Sequence, residues 1–294
     1  MSYGVPAPDT GSQQIPVCPR HPDRVSYVRC QRCGRPACAQ CQRPAAVGFQ
    51  CVDCVREQAA TAPVRKNAFG GVARGSVPVA TYTIIGLCVV VFLLQLVVPG
   101  LTRSLLYAPV FTAGLEGAVP AQPWRMLTAA FLHSQGSFLH IAFNMYALYI
   151  LGKVLEPAMG IARFTGLYLI AALGGSVGVL LLSPNPLQGV VGASGAVFGL
   201  FGALFIVQRK RGGDVRQIVV LIAINAVLGF VVPGIAWEAH LGGMLTGAAC
   251  AAIIAYAPRG RRQAVVQWSG LSGVVAVLGL LTFAGVVLLP AQVY

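Results

Sequence analysis

Ser194 lies in the apolar stretch VVGASGAVFG (residues 190–199), where glycines flank it on both sides. A serine becomes a nucleophile only beside a base, and His240 is the candidate for that base. A developing oxyanion needs fixed hydrogen-bond donors, which the backbone N–H of Ser194 and the side chains of His140 and Asn144 can provide. These residue types predict nucleophilic catalysis within a membrane-like sequence.

A carboxylate that would complete a catalytic triad is missing from the pattern. Glu238 stands two residues from His240, so the two side chains point to different faces of a helix. Glu156 belongs at the opposite end of its predicted helix. We therefore predict a dyad in which Ser194 is the nucleophile and His240 the general base.

Each polar residue taken alone has a simpler explanation. A single serine in a membrane span usually bonds back to its own helix, and a single histidine in a helical bundle is more often packed or pore-lining. We assign His133, at the outer end of the second span or in the loop before it, a structural or interfacial role. A transporter could use a polar layer as its substrate site, but it would predict charged or broken-helix elements at mid-membrane, and the sequence shows none.

The composition places the chain among membrane proteins. Of its 294 residues, 56% are hydrophobic and only 10% charged, and the mean hydropathy is +0.73. Spans of the roughly 20 residues that cross a bilayer are predicted at 78–98, 137–156, 161–182, 192–208, 215–232, 236–257 and 267–289.

The second, fourth and sixth spans run in the same direction across the membrane. His140 and Asn144 stand near the start of the second, Ser194 near the start of the fourth and His240 near the start of the sixth. All four residues should therefore lie at similar depth, a turn or two below one surface. His140 and Asn144 also share a helix face, because they are four residues apart.

Glycines spaced by four residues accompany the serine and the histidine. Gly195 and Gly199 follow Ser194, while Gly243 and Gly247 follow His240. Small residues at this spacing let two helices approach closely, so the fourth and sixth spans should pack tightly and bring the serine hydroxyl to the imidazole.

The distribution of basic residues predicts the orientation in the membrane. The first apolar run starts near Val77, too late for a secretory signal peptide, so we expect the N-terminus in the cytosol. The loops on that side then carry Arg163, Arg209, Lys210, Arg211, Arg216, Arg259, Arg261 and Arg262. We thus predict a multi-pass protein of the cell membrane with its active site near the outer face and its C-terminus outside. The net charge of +13 suits an anionic lipid surface, and nucleic-acid binding is disfavoured because no basic domain with interleaved aromatic residues is present.

A cysteine-rich segment precedes the spans and offers eight metal ligands. They come in four pairs, Cys18-x2-His21, Cys30-x2-Cys33, Cys38-x2-Cys41 and Cys51-x2-Cys54. Eight ligands suffice for two tetrahedral zinc ions with a structural role, since no coordination position stays open. A disulfide framework is disfavoured because the segment has an odd number of cysteines and is expected in a reducing compartment. The spacing leaves open whether neighbouring or alternating pairs share an ion.

Five stretches together resemble the rhomboid family of intramembrane serine proteases. They are PWR at 123–125, FLHSQGSFLHIAFN at 131–144, EPAMG at 156–160, GASG at 192–195 and AHLGG at 239–243. The resemblance implies cleavage of single-pass membrane proteins in or near their membrane-spanning segment. It implies Ser194 as nucleophile, His240 as general base, and His140 with Asn144 as the pair that stabilises the oxyanion. It also implies a structural role for Trp124 and Arg125, and it places Phe198 where the family often has a tyrosine packed on the catalytic histidine.

The cysteine-rich segment resembles a B-box zinc finger. That resemblance implies alternating pairs, with Cys18, His21, Cys38 and Cys41 on one ion and Cys30, Cys33, Cys51 and Cys54 on the other. Such modules usually bind other proteins, which suggests a cytosolic protein partner.

These inferences define the predicted architecture. We expect an all-α membrane protein, a six-helix rhomboid bundle with a seventh C-terminal transmembrane helix, and a small cytosolic zinc-binding domain. The predicted ranges are a disordered N-terminus at 1–17, the zinc-binding domain at 18–57, a linker at 58–76, the six-helix core at 77–257, and a loop with the seventh helix at 258–294.

The predicted function is intramembrane serine proteolysis on single-pass membrane proteins in the lipid bilayer, with zinc as a structural cofactor only. The alternative is a catalytically inactive rhomboid-like protein that binds transmembrane helices. Inactive relatives typically lack the serine or the histidine, and this chain has both.

Overall fold

The computed structural model describes residues 15–62, 66–72, 77–115, 118–232 and 234–288. The chain divides into two compact units, Met1–Val64 and Arg65–Tyr294. Most of the N-terminal segment predicted to be disordered lies outside the described residues; its last residue, Val17, begins a strand.

The first unit is small and is built around cysteines. Strand β1 (Val17–Cys18) pairs antiparallel with β2 (His21–Val25), β3 (Gln42–Pro44) pairs antiparallel with β4 (Phe49–Cys51), and helix α1 (Val52–Thr61) follows. Its buried centre consists of Ala37 and six cysteines. This unit therefore buries little apolar surface of its own.

The second unit is helical. Its helices are α2 (Val79–Val97), α3 (Leu101–Leu105), α4 (Val110–Ala113), α5 (Arg125–Thr128), α6 (Phe138–Met159), α7 (Ile161–Leu182), α8 (Ser194–Lys210), α9 (Arg216–Val231), α10 (Trp237–Tyr256) and α11 (Gln263–Leu288). Five of them, α2, α6, α7, α10 and α11, are long and apolar enough to cross a membrane. The chain is therefore a multi-pass membrane protein, as its composition predicts.

Two of the predicted spans form helices shorter than the roughly 20 residues that cross a bilayer core. Helix α8 has 17 residues and α9 has 16. At 1.5 Å per residue α8 is about 26 Å long. Helix α8 is short because it begins only at Ser194, directly after the buried Ala193.

Glycines let α7, α8 and α10 pack backbone against backbone. A Cβ added to Gly243 would overlap the carbonyl of Gly195, and one added to Gly247 would overlap the backbone of Gly199. The close approach of the fourth and sixth spans, predicted from glycine spacing, is thereby confirmed. A Cβ on Gly178 of α7 would likewise overlap the Glu238 carbonyl, so α7 is pressed against the start of α10.

Glu156 fixes the start of the first long helix. Its carboxylate accepts the backbone N–H of Ala80 and of Thr81, each at 2.8 Å, and the Thr81 hydroxyl at 2.7 Å. A carboxylate at a helix N-terminus satisfies free N–H groups and faces the positive end of the helix dipole. Glu156, near the end of α6, thus has a structural role at the start of α2, whereas the residues predicted to act with Ser194 lie at the start of α6.

Arg125 joins the segments of the long connection between α2 and α6. It donates to the carbonyls of Arg103 at 2.7 Å and Leu106 at 3.0 Å, and its guanidinium lies 4.0 Å from the centre of the Phe111 ring. These contacts support the structural role implied for this residue, whereas the neighbouring Trp124 is exposed.

Part of the predicted linker packs on the helical unit. We call residues 66–72 the strap. Phe69, at its centre, is buried, its N–H donates to Ala158 at the end of α6, and its carbonyl accepts the Gln267 side chain of α11 at 3.0 Å. The strap lies at the end of the helical unit where α6, α8 and α10 end. We call this end of the unit the basic end.

Candidate active site and metal-binding clusters

The starts of α6, α8 and α10 meet at the other end of the helical unit, which we call the serine end. Ser194 is the first residue of α8, His140 the third of α6 and His240 the fourth of α10. A Cβ on Gly192 would lie 3.0 Å from the His140 ring and 3.5 Å from Ser194 Oγ, so His140 and the serine lie on either side of this glycine. The structure brings together the three helix starts that the sequence places at equal depth.

Gly192 is required by its backbone conformation as well as by its neighbours. Its φ is +135°, in the region that residues with a side chain rarely adopt. Its N–H donates to Ala129, which anchors the turn just before the helix. The turn delivers Ser194 to the first position of α8, where the first backbone N–H groups have no partner within the helix.

His240 lies against α8 one turn after the serine. Its ring stacks on Phe198 with centroids 4.0 Å apart and planes only 6° from parallel. Phe198 is four residues after Ser194 and therefore on the same face of α8, and side chains on a helix lean toward its N-terminus. The stacking implied for Phe198 by the family resemblance is present in the structure.

The tautomer of His140 follows from a backbone contact. Its Nδ1 accepts the N–H of Ser134 at 3.0 Å, so the neutral ring must carry its proton on Nε2. The atoms of the His140 ring nearest to Gly192, and therefore beside Ser194, are Cε1 and Nε2. His140 thus directs an N–H donor into the site, and Ser134, which the sequence analysis did not consider, positions it.

Asn144 lies one turn further along α6 and is buried. Its amide donates one hydrogen to the carbonyl of His140 at 2.8 Å, which leaves the second amide hydrogen. This bond fixes the side chain on the helix face that His140 also occupies.

His133 is fully buried in the loop before α6, so its position is not interfacial. Its ring lies 5.4 Å from the His140 ring, centre to centre. Its backbone N–H and carbonyl are both bonded, each at 3.0 Å, by the side-chain amide of Gln95 in α2. Gln95 thereby holds the loop that carries Ser134. The sequence feature that could have indicated this role is that Gln95 is the single amide side chain in the apolar run VVVFLLQLVV.

A small cavity of about 30 Å³ adjoins Ser194. Its walls are small residues: Gly175, Ser176, Gly195 and Ala239 come from α7, α8 and α10, and the segments around Ala129 and Val190–Gly192 contribute others. Among the described residues, no hydrogen bond joins a carboxylate to His240; Glu238, though buried, belongs to the same helix.

The eight predicted metal ligands form two groups of four in the first unit. One group is Cys18, His21, Cys38 and Cys41, and the other is Cys30, Cys33, Cys51 and Cys54. Within each group the ligand atoms lie within 4.8 Å of one another. The pairs therefore alternate, as the B-box resemblance implies.

The spacing of the ligand atoms fits a tetrahedral metal. Bond lengths of about 2.3 Å to sulfur and 2.0–2.1 Å to nitrogen give edges of about 3.6–3.8 Å between ligands. His21 Nδ1 lies 3.9, 3.3 and 3.4 Å from the sulfurs of Cys18, Cys38 and Cys41. In the second group, the sulfurs of Cys33 and Cys51 are 3.8 Å apart.

The electrostatics favour the thiolate, the form that binds metal, at one or more cysteines of each group, whereas burial raises the pKa of Cys41 to about 11 and that of Cys54 to about 12. Burial acts to raise the pKa of Cys18, but hydrogen bonds from the Cys38 backbone and the His21 side chain outweigh it and lower the pKa to about 6. The pKa of Cys30 is also lowered to about 6: burial opposes the shift, and hydrogen bonds from the backbone of Cys51 and Cys33 produce it. Each group can therefore hold a divalent metal such as zinc.

Comparison with known proteins agrees with this geometry. The sequence model of the Rhomboid domain matches residues 120–257. Rhomboid protease GluP of Bacillus subtilis is 35% identical over 184 residues, which are 60% of this chain and 35% of GluP. RHOMBOID-like protein 5 of Arabidopsis thaliana is 35% identical over 131 residues, 42% of this chain and 41% of the relative.

The chain spans well under half the length of those two relatives, but it covers a third one more fully. The putative rhomboid protease YdcA of Bacillus subtilis is 33% identical over 137 residues, which are 45% of this chain and 67% of YdcA. The matched residues include the starts of α6, α8 and α10, and the protein thus belongs to the rhomboid family.

Proposed function

We propose that this protein is an intramembrane serine endopeptidase in which Ser194 and His240 form the catalytic dyad. The observation that carries the proposal is the meeting of three helix starts around Gly192, with His140 beside Ser194 and His240 stacked on the same face of α8. Relatives named as rhomboid proteases support this function for the family.

The chemistry follows from these positions. His240 takes the proton from the Ser194 hydroxyl as Oγ attacks the carbonyl carbon of the scissile peptide bond. The oxyanion accepts the backbone N–H of Ser194 and the Nε2–H of His140, and Asn144 adds its remaining amide hydrogen. His240 then gives the proton to the leaving amine, and water attacks the acyl-enzyme with His240 again as the base.

The substrates proposed are single-pass membrane proteins cut in or near their membrane-spanning segment. The cavity of about 30 Å³ beside Ser194 is far too small for a peptide, so a helix must move to admit one. Helix α9 is the candidate, because its described residues other than Gly229 are half-buried or exposed. A substrate helix approaching from the lipid would reach the serine end past α9.

The orientation proposed puts the serine end at the outer face of the cell membrane and the N-terminus in the cytosol. The positions of the basic residues support it: Arg209, Lys210 and Arg211 lie at the end of α8, Arg216 begins α9, and Arg259, Arg261 and Arg262 lie between α10 and α11. A cytosolic partner for the first unit stays a prediction from the B-box resemblance.

The function is tested by reconstituting the full chain in liposomes with a panel of single-pass membrane proteins. We expect cleavage products whose new termini map in or near the membrane-spanning segment. Capture of intact transmembrane helices by a folded protein that yields no product would instead establish the inactive rhomboid-like alternative.

Replacing Asn144 with alanine should lower kcat/KM by about 10²–10³-fold, the effect of removing one oxyanion donor. The measurement is cleavage of a fluorogenic transmembrane substrate in detergent. Asn225→Ala is the matched control, since Asn225 likewise donates to the carbonyl four residues back but lies half-buried on α9. Equal rates for Asn144→Ala and the control would exclude Asn144 from the oxyanion site.

The first unit is proposed to bind two structural zinc ions. Alternating pairs are tested by metal analysis of two double variants of the full chain. Cys18→Ser/Cys38→Ser touches one group of four and should retain one zinc ion per chain, whereas Cys18→Ser/Cys30→Ser touches both and should retain none. The reverse result would mean that neighbouring pairs share an ion. Cleavage in detergent should survive in both variants.

A further inference from the structure

An open cavity of about 600 Å³ lies at the basic end, far larger than the cavity beside Ser194. One wall is the strap, with Lys66, Asn67, Ala68 and Gly70. The other is the loop between α10 and α11 with the first residue of α11, and its lining residues are Arg259, Gly260, Arg261 and Gln263. The volume is in the range of a small-molecule site.

The strap is held firmly enough to form a wall. Gln267 of α11 donates from one amide to the carbonyls of Phe69 at 3.0 Å and Ile254 at 2.8 Å, and its oxygen accepts from Arg163 at 2.7 Å. Gln267 is completely buried, so these bonds are shielded from water. Gly70, at φ +83°, lets the strap turn against the Gln263 side chain.

The lining of the cavity is cationic. Lys66, Arg259 and Arg261 are exposed, and among the described residues no acidic side chain lines the cavity with them. Within the part of the chain that the structure describes, all ion pairs lie in residues 20–57, and none of these three side chains makes a hydrogen bond to protein. By contrast, two other arginines at this end are engaged: Arg163 bonds Gln267, and Arg211 lies over the Phe69 ring at 5.6 Å.

The backbone adds to the attraction for an anion. Helix α11 has 26 residues and begins at the cavity with Gln263, so the positive end of its dipole lies there, although the Gln263 N–H itself donates to the Gly260 carbonyl. Gly260, at φ +128°, turns the chain just before it. Three cationic side chains without a protein partner and a helix N-terminus therefore line one concave site. These are the groups that typically bind phosphate in proteins.

The surroundings favour a lipid as the source of that phosphate. Close in sequence to the residues that line the cavity, α10 and α11 carry Tyr256, Val265 and Trp268, whose side chains are exposed on membrane-spanning helices; Lys210 lies over the Tyr256 ring at 4.3 Å. Acyl chains can lie along this surface while the headgroup occupies the cavity. Basic pockets at the ends of membrane helices bind anionic headgroups in this manner.

We propose that this cavity binds the headgroup phosphate of an anionic phospholipid, with Lys66, Arg259 and Arg261 as its cationic ligands. The bound lipid bridges the strap and the start of α11. The site is separate from the serine end and does not depend on catalysis.

The test is lipid binding by the full chain in detergent, measured by native mass spectrometry with phosphatidylglycerol and phosphatidylcholine. We expect preferential binding of phosphatidylglycerol. Arg259→Gln/Arg261→Gln should weaken it by about tenfold to thirtyfold, at roughly 1 kcal/mol for each cation near a headgroup, and Lys66→Gln should weaken it less.

The matched control is Arg209→Gln/Arg216→Gln, which removes the same charge from exposed residues of the basic end that do not line the cavity. This control should bind phosphatidylglycerol as the wild type does. Equal weakening in both double variants would overturn the proposal in favour of diffuse attraction. Displacement of the lipid by inorganic phosphate at equal concentration, or no preference over phosphatidylcholine, would overturn the lipid as ligand.

Discussion

Ser194→Ala is expected to reduce cleavage of a reconstituted transmembrane substrate by about 10⁴–10⁶-fold, the range found when a serine nucleophile is removed. The reason is that the hydroxyl forms the covalent bond to the substrate, and alanine offers no replacement. His240→Ala should cost a similar factor. The double variant should be no slower than either single one, because the two residues act as a unit.

The control for this series is Ser269→Ala, which removes a hydroxyl from the exposed side of α11. It should cleave at the wild-type rate. Ser194→Ala and Ser269→Ala should retain the thermal unfolding midpoint of the wild type, whereas His240→Ala should remain folded with a lower midpoint, because it loses the ring stacked on Phe198. A folded Ser194→Ala protein that cleaves as fast as the control would mean that another group attacks the substrate.

Gly247→Ala is expected to destabilise the helical unit by about 3 kcal/mol, at the upper end of what overpacking costs. A Cβ at this position meets the backbone of Gly199, which cannot rotate away as a side chain could. Relief requires α8 and α10 to separate, which also moves His240 away from Ser194. Stability measured by unfolding in detergent and cleavage should therefore fall together.

The matched control is Gly279→Ala on α11, where an added Cβ meets nothing within 4 Å. This variant should keep both the stability and the activity of the wild type. Wild-type behaviour of Gly247→Ala would mean that α8 and α10 do not pack as closely as the structure shows.

The positions of the long helices could be predicted because each apolar run ends at a residue with a strong local preference. Gly160 ends α6, and Ile161 begins α7 at the predicted residue. The fourth predicted span, 192–208, has the length of α8 but begins two residues too early, and the fifth, 215–232, is two residues longer than α9, because apolar composition does not mark the exact helix ends. An apolar residue before Ser194 can belong either to a helix or to the turn that positions the serine.

Within the candidate site, the sequence predicted the convergence of Ser194, His140 and His240 from helix direction and glycine spacing. It did not reveal the bond from Ser134 to His140 or the amide of Gln95 that secures the loop. Those contacts depend on the conformation of the loop, and the sequence of a loop has no periodic pattern from which its conformation could be predicted.

The strap could not be predicted from local sequence, and the ligand pairing followed only from the B-box resemblance, not from the spacing of the ligands. Phe69 is held by Gln267, 198 residues later in the chain, and no local pattern couples such distant positions. The four ligand pairs all have the same internal spacing, so only their arrangement in space shows which of them share a metal.

The most direct test of the central claim is covalent labelling by a fluorophosphonate, which reacts with a serine only when a neighbouring base activates it. The full chain is labelled in liposomes, and the modified residue is located by peptide mass spectrometry. The account predicts a single adduct on Ser194 that disappears in His240→Ala and persists in Ser269→Ala. A folded wild-type protein that remains unlabelled, or that is labelled on Ser194 equally well without His240, would contradict it.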